Sequence, residues 1–171
     1  MNWFKFLRLP WARKRRDLTL FPPFWLLDIK ILEAQKDWRH VEIRLPLNFF
    51  NRHGGGAMFG GAQACLADPI PALACARIFP GYAVWTRDLS LDFQKPGTTD
   101  LTLRFDMDPA QEAQIRAELS RRGRATPTFE LGFYLADGSC CTKIRNTVAI
   151  RPKGYKKPTR SDASGPPVTV K

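Results

Sequence analysis

The chain is poor in the residues that build metal and redox centres. It has two histidines, His40 and His53, and four cysteines, Cys65, Cys75, Cys140 and Cys141, in 171 residues. No two cysteines are spaced as CxxC, so a zinc ion would find few ligands and no metal site is expected. Cys140 and Cys141 are adjacent and should face opposite sides of a strand. All four read as reduced thiols acting as small packing residues, as in a cytoplasmic protein. Long apolar runs are also missing. The longest near the start is "FPPFWLL", 21–27, far short of the roughly 20 residues that a bilayer crossing requires. A cleaved signal peptide is not expected either: Lys5, Arg8 and Pro10 break up the early apolar residues, and the basic cluster follows them.

Positive charge is in excess, a formal net +11, but only at the two ends. Residues 1–17 and 151–171 each hold six Lys or Arg against one Asp, whereas 18–150 holds 15 basic and 14 acidic residues. A body so close to neutral lacks the charged stripe of a groove-binding domain, so nucleic acid is not an expected partner. The N-terminal arm, 1–19, places Trp3, Phe4, Phe6, Leu7, Leu9 and Trp11 ahead of Arg13, Lys14, Arg15 and Arg16. Aromatics beside cations suit a weak contact of residues 1–16 with the inner face of a membrane. A short helix docking its aromatics on the body or on a second subunit gives the same pattern and is preferred. The tail, 152–171, is rich in Lys, Pro and Ser and reads as disordered. One domain, 20–151, remains between them.

Within that domain the periodicities are clear. "FPPFWLLD" predicts a short helix opened by proline. Strands are predicted around 28–36 and at 40–47, where Val41, Ile43, Leu45 and Leu47 alternate with polar residues and Pro46. The alanine-rich run 62–79 predicts a helix buried on most sides. Trp85, Leu89, Leu91 and Phe93 are expected to share a strand face, as are Leu101, Leu103, Phe105 and Met107. Between them "KPGT", 95–98, has the order of a type II turn. A surface helix at 108–123 is capped by Asp108, opened by Pro109 and ended by Gly123, with Glu112–Arg116 and Glu118–Arg122 as i,i+4 pairs. Phe129, Leu131, Phe133 and Leu135 mark a strand, "DG" at 137–138 a hairpin, and 139–151 the last strand. There is no internal repeat. Six antiparallel strands with one apolar face must cover that face, and only the helix at 62–79 is long and apolar enough to do so. The predicted fold is α+β, a curled sheet of about six strands around a central helix.

That helix begins in "RHGGGAMFGG", 52–61, with five glycines in ten positions. A Walker loop fails, because Gly61 is followed by Ala62 and Gln63. A dinucleotide fingerprint fails at Phe59. The "HGGG" of lipase oxyanion loops has no GxSxG elbow to accompany it. Two readings remain. The glycines pack the helix start against sheet backbone, or they let an oxygen approach the uncapped N–H groups of a helix N-terminus.

A pattern of Asn/His-x-x-Gly-x-x-Phe/His-Gly-Gly, with Asp seven residues after the second Gly, runs through His53, Gly56, Phe59, Gly60, Gly61 and Asp68. It resembles the start of the central helix in hotdog-fold thioesterases. The likeness spans 20–151 and is nearest to a largely unassigned branch similar to phenylacetate-pathway and acyl-CoA thioesterases, which shares "ADP" at 67–69 and the helix at 108–123. The resemblance implies a homodimer, often paired into a tetramer, with active sites between subunits. The substrate would be an acyl-CoA or other acyl thioester, with coenzyme A as part of the substrate and no separate cofactor. Gly60, with Gly61, would supply the oxyanion N–H groups, and Asp68 of the partner subunit would be general base or nucleophile. His53 stands where the family has Asn, and could orient water or act in acid/base chemistry. Asn51 is a substitute for it at altered spacing, and Asn51, Gly56, Phe59 and Gly61 are the expected substrate-binding residues. Asp68-Pro69 also reads as a helix cap followed by N1. A hydrolase and a non-catalytic acyl-thioester binder both fit.

Overall fold

Alternation with period two fixes six strands, and one small-residue helix fills the space they enclose. The structure, a computed structural model, describes residues 18–155. The expectations for the aromatic and basic arm at 1–16 and for the tail from 156 lie outside them. A 3-10 turn at Leu18–Leu20 leads to α1 (Pro22–Leu26), β1 (Lys30–Ala34), β2 (His40–Leu45), α2 (Gly60–Ala67) and α3 (Pro69–Ile78). Then come β3 (Tyr82–Phe93), β4 (Leu101–Asp106), α4 (Pro109–Arg122), β5 (Thr128–Tyr134) and β6 (Cys140–Pro152). The strands form one antiparallel sheet in the order β1-β2-β4-β5-β6-β3. The expected architecture is the one observed.

The core lies between the α2–α3 helix and the sheet's inner face. Leu66, Ile70, Ala74 and Cys75 meet Ile43, Leu45, Leu103, Phe133, Val148 and Ile150, all of them at most 1% exposed. Each fully buried aliphatic side chain contributes about 1.5–3 kcal/mol, and the alanines between them let the helix lie close to the sheet. The four cysteines are free thiols. Burial pushes Cys75 up to about 12, so it stays protonated and apolar. His40 is engaged in the sheet: its Nδ1 lies 2.6 Å from Asp106 Oδ1 across β2 and β4, which raises its pKa.

Several local expectations need correction. The central helix starts at Gly60, two residues early, and is interrupted at Asp68. Pro69 and Pro71 lack the N–H groups that the carbonyls of Cys65 and Ala67 would otherwise accept from. Trp85 does not share the face of Leu89 and Leu91. A bulge between Thr86 and Asp88 inserts Arg87 and changes the parity of β3, so Val84 packs on the core and Trp85 is exposed against Tyr155. The turn at 95–98 is not type II, since Gly97 is not among the glycines with positive φ. Gly97 serves close approach instead: a Cβ there would lie 3.1 Å from Leu101 and 3.3 Å from Met58, and its carbonyl accepts the Met58 N–H at 2.8 Å.

The α4 helix forms as its sequence dictates. Asp108 Oδ1 accepts from the Ala110 N–H, and Gly123 ends it at φ 64°. The Glu112–Arg116 pair closes at 2.6 Å. Among the described residues Glu118 and Arg122 do not pair; they line a surface cleft with Arg124, Thr126 and Arg151. Ile115 and Leu119 are buried, and Arg39 clamps Glu112 with two 2.8 Å hydrogen bonds.

Candidate active site

The glycine stretch is a loop whose shape Asn51 holds. Asn51 is 1% exposed. Its Oδ1 accepts from the Asn48 N–H at 2.9 Å, and its Nδ2 donates to the Pro46 carbonyl at 2.7 Å. Its own carbonyl accepts the Phe59 N–H at 2.6 Å, tying the end of β2 to the start of α2. Both ends of the amide are therefore engaged with backbone, so Asn51 positions the loop.

Beyond it the chain turns tightly. The His53 N–H donates to the Ala57 carbonyl, and the Gly56 N–H to the His53 carbonyl. Gly56 sits at φ 82°, a conformation that favours glycine. His53 is exposed, and its Nδ1 accepts from the Gly55 N–H at 2.9 Å. With Nδ1 accepting, Nε2 is left as the ring's donor. That suits orienting a ligand oxygen better than removing a proton.

At the helix start Phe59 is the N-cap residue, but it makes no side-chain cap. Ala62 N–H reaches the Phe59 carbonyl at 3.0 Å, and among the described residues the N–H groups of Gly60 and Gly61 have no acceptor. Two aromatic rings lie directly on these glycines. A Cβ on Gly60 would fall 2.8 Å from Phe93 Cζ, and one on Gly61 2.2 Å from Phe59 Cε1. Glycine at both positions lets the rings rest on the backbone, and both rings are more than half exposed. The result is a pair of open N–H donors, at the positive end of a helix, between two apolar walls.

Asp68 lies two helical turns on. Seven residues from Gly61 correspond to roughly 10 Å along the axis. Its backbone is helical (φ −55°, ψ −57°) and its side chain makes no capping hydrogen bond, so the cap reading of Asp68-Pro69 does not hold. The backbone here is braced from the sheet. Thr86 Oγ1 donates to the Asp68 carbonyl at 2.7 Å. Asn146 Nδ2 reaches the same carbonyl at 2.9 Å and the Ala67 carbonyl, left without its helical donor by Pro71, at 3.2 Å. The carboxylate itself is exposed. Its charge and, above all, burial raise the pKa of Cys65, one turn earlier, which keeps that thiol from acting as a nucleophile.

Within one chain, then, His53, Gly56, Phe59, Gly60 and Gly61 come together, Asn51 supports them from below, and Asp68 stands apart. Sequence reasoning missed Thr86 and Asn146, whose role depends on the carbonyls that the prolines release. It also missed Gln63, a lone polar residue in "GGAQACLA". Two surface clefts of about 360 and 190 Å³, along α4 and the start of β5, do not touch the glycine loop. Among the described residues no cluster of His, Cys, Asp and Glu could hold a metal ion, and no helix is long and apolar enough to cross a membrane.

The model of a protein family described as a domain of unknown function (DUF4442) matches residues 12–150. No curated protein sequence matches the chain. Solved structures do. One is a protein of unknown function from Pseudomonas aeruginosa, described as a probable thioesterase, with TM-score 0.71 and 20% identity over 84% of this chain and 96% of that one. A thioesterase from Haemophilus influenzae has TM-score 0.58 and 16% identity over 77% and 83%. A thioesterase enzyme from Staphylococcus aureus, solved as a mutant, has TM-score 0.58 and 17% identity over 74% and 95%. At these identities the likeness is one of fold, and the fold is the hotdog fold.

Proposed function

The chain belongs to the family described as a domain of unknown function (DUF4442), and from its helix start we propose that it hydrolyses an acyl-CoA or related acyl thioester. One observation carries the reading: the two unpaired glycine N–H groups between the Phe59 and Phe93 rings. A thioester carbonyl oxygen fits there without a Cβ in its way. When water adds to the carbonyl carbon, the oxyanion that forms is stabilised by these donors, each worth roughly 3–4 kcal/mol. Asp68 takes the proton from the attacking water, and collapse of the adduct breaks the C–S bond and releases acid and thiol.

The base comes from a second copy, as the resemblance implies, and the rise of roughly 10 Å along the helix between Gly61 and Asp68 supports this. The twelve-residue strand β3 favours such pairing, because it bonds to β6 on one side only and offers a free edge. We take the protein to be a homodimer, open to pairing into a tetramer, with coenzyme A entering as part of the substrate. The position of His53 favours one alternative, a binder without turnover, since with Nδ1 taken by the Gly55 N–H its ring offers a donor and no base. Incubation with acyl-CoAs of graded length, read by thiol release, decides between them. Asp68→Asn should lower kcat by about 100-fold or more at similar KM. Unchanged turnover in that variant would remove Asp68 from the mechanism, and a melting-temperature rise without thiol release would leave only binding.

A further inference from the structure

Gln63 is 2% exposed in a helix otherwise made of Gly, Ala, Cys and Leu. Its Oε1 accepts the Thr142 hydroxyl at 2.6 Å, and among the described residues its Nε2 has no acceptor. The two N–H groups of this amide are unmatched within the described chain, and its nitrogen is not among the atoms sealed from solvent, so an acceptor from outside the chain can reach them.

Two independent sets of contacts place that amine at the glycine site. Gly60 and Gln63 are three residues apart, hence neighbours on one helix face, and helical side chains lean toward the N-terminus. From the sheet side, the Phe93 ring lies on Gly60, Phe93 pairs with Thr142 across β3 and β6, and Thr142 holds Gln63. On its other flank, a Cβ on Gly97 would lie 3.6 Å from Nε2. With its side chain leaning toward the N-terminus, the amide sits beneath the helix start, near the level of the Gly60 N–H. A thioester whose oxygen lies on Gly60 therefore brings the first carbons of its acyl group within reach of it.

We propose that Gln63 Nε2 is a third donor of this site and selects thioesters whose acyl group carries a hydroxyl or oxo oxygen on its second or third carbon. The proposal rests on the thioester reading above. A plain acyl chain would press methylenes against an unpaired amine, whereas an oxygen acceptor would satisfy it. The expected preference is about tenfold or more in kcat/KM.

The test compares butyryl-CoA with 3-hydroxybutyryl-CoA, and hexanoyl-CoA with its 3-oxo counterpart, by thiol release and by the melting-temperature rise each produces. Wild type should favour the oxygenated member of each pair. Gln63→Met should bring the ratio close to one. Thr142→Val, which frees the amide to rotate, should give an intermediate ratio and serves as well if Gln63→Met does not fold. A wild-type ratio near one, or a ratio that neither variant moves, overturns the proposal. If no substrate releases thiol, the hydrolase reading fails by itself. A larger thermal shift with the oxygenated ligand, lost in the variants, still supports the donor, and equal shifts overturn it. No shift with any acyl-CoA overturns both.

Discussion

Replacing Glu112 by Gln should destabilise the protein in a way that depends on pH. Glu112 projects from α4 and accepts from Arg39 Nε and Nη2 at 2.8 Å each, and from Arg116 Nε and Nη2 at 2.9 and 2.6 Å. Its side chain is 12% exposed. The hydrogen bonds from Arg39, followed by those from Arg116, hold its carboxyl at about 2, against an ordinary value of 4.5. Over that interval the folded state favours the ionised form by roughly 3 kcal/mol. The two arginines are 39% and 51% exposed, so water screens part of the attraction and about 2 kcal/mol should remain. In a domain of this size that lowers the melting temperature by about 4–8 °C. The sign follows from the depressed pKa. The contribution is complete above about 4.5 and is lost as pH falls toward 2, so the two melting curves should converge in acid. The assay is thermal unfolding at equal protein concentration from pH 7 down to pH 2.5. A Glu112→Gln protein that melts within 1 °C of wild type at pH 7, on the order of no effect, refutes the argument. So does a deficit that persists undiminished at low pH.

Two further changes probe the site. Gly61→Ala would set a Cβ 2.2 Å from the Phe59 ring, and this exposed ring can swing aside. Stability should hold or rise by up to about 1 kcal/mol from helix propensity, while thiol release falls because the methyl and displaced ring obstruct the N–H groups. Full activity in a folded Gly61→Ala protein would contradict the proposed oxyanion site. Thr86→Val removes the 2.7 Å hydrogen bond to the Asp68 carbonyl. It should cost about 1 kcal/mol in urea unfolding and reduce kcat with little change in KM. Equal kcat would show that the bond serves stability alone.

The strands were legible because each inner position repeats every second residue, and nothing in β2 or β4 breaks that count. β3 was misread where the count does break: Arg87 adds one residue, and Trp85 changes face. Nothing in "VWTRDLSL" marks the bulge, because both phases place large apolar residues somewhere plausible. Gly97 was misassigned for a related reason. A glycine after proline fits a left-handed turn, but here it is required by the approach of Met58 and Leu101 from elsewhere in the chain. At the site, the glycine spacing located the helix start. Asn51, read as a contact for ligand or water, holds the loop from within, because its amide finds the Asn48 N–H and Pro46 carbonyl first. Thr86 and Asn146 were invisible for want of any local signal. Each is one polar residue in a strand, and what it does depends on a carbonyl about 20 or 80 residues away along the chain.

The two prolines of the central helix make sense only with those strand residues. Pro69 and Pro71 stand in the first turn of α3, where proline is tolerated, yet each removes a donor from a carbonyl of α2. Both losses fall around one residue, Asp68. The Ala67 carbonyl freed by Pro71 then receives Asn146, and the Asp68 carbonyl receives both Asn146 and Thr86. Asn146 is fully buried, and its Oδ1 has no partner, which adds a further cost at the same point. A chain selected only for stability would carry Ala at these positions and an apolar residue at 146. Instead the backbone of Asp68 is clamped by two strands while its carboxylate stays free and exposed. A backbone fixed from two strands beside an exposed carboxylate is what the proposed role of Asp68 as a base requires, because a positioned side chain needs a rigid support.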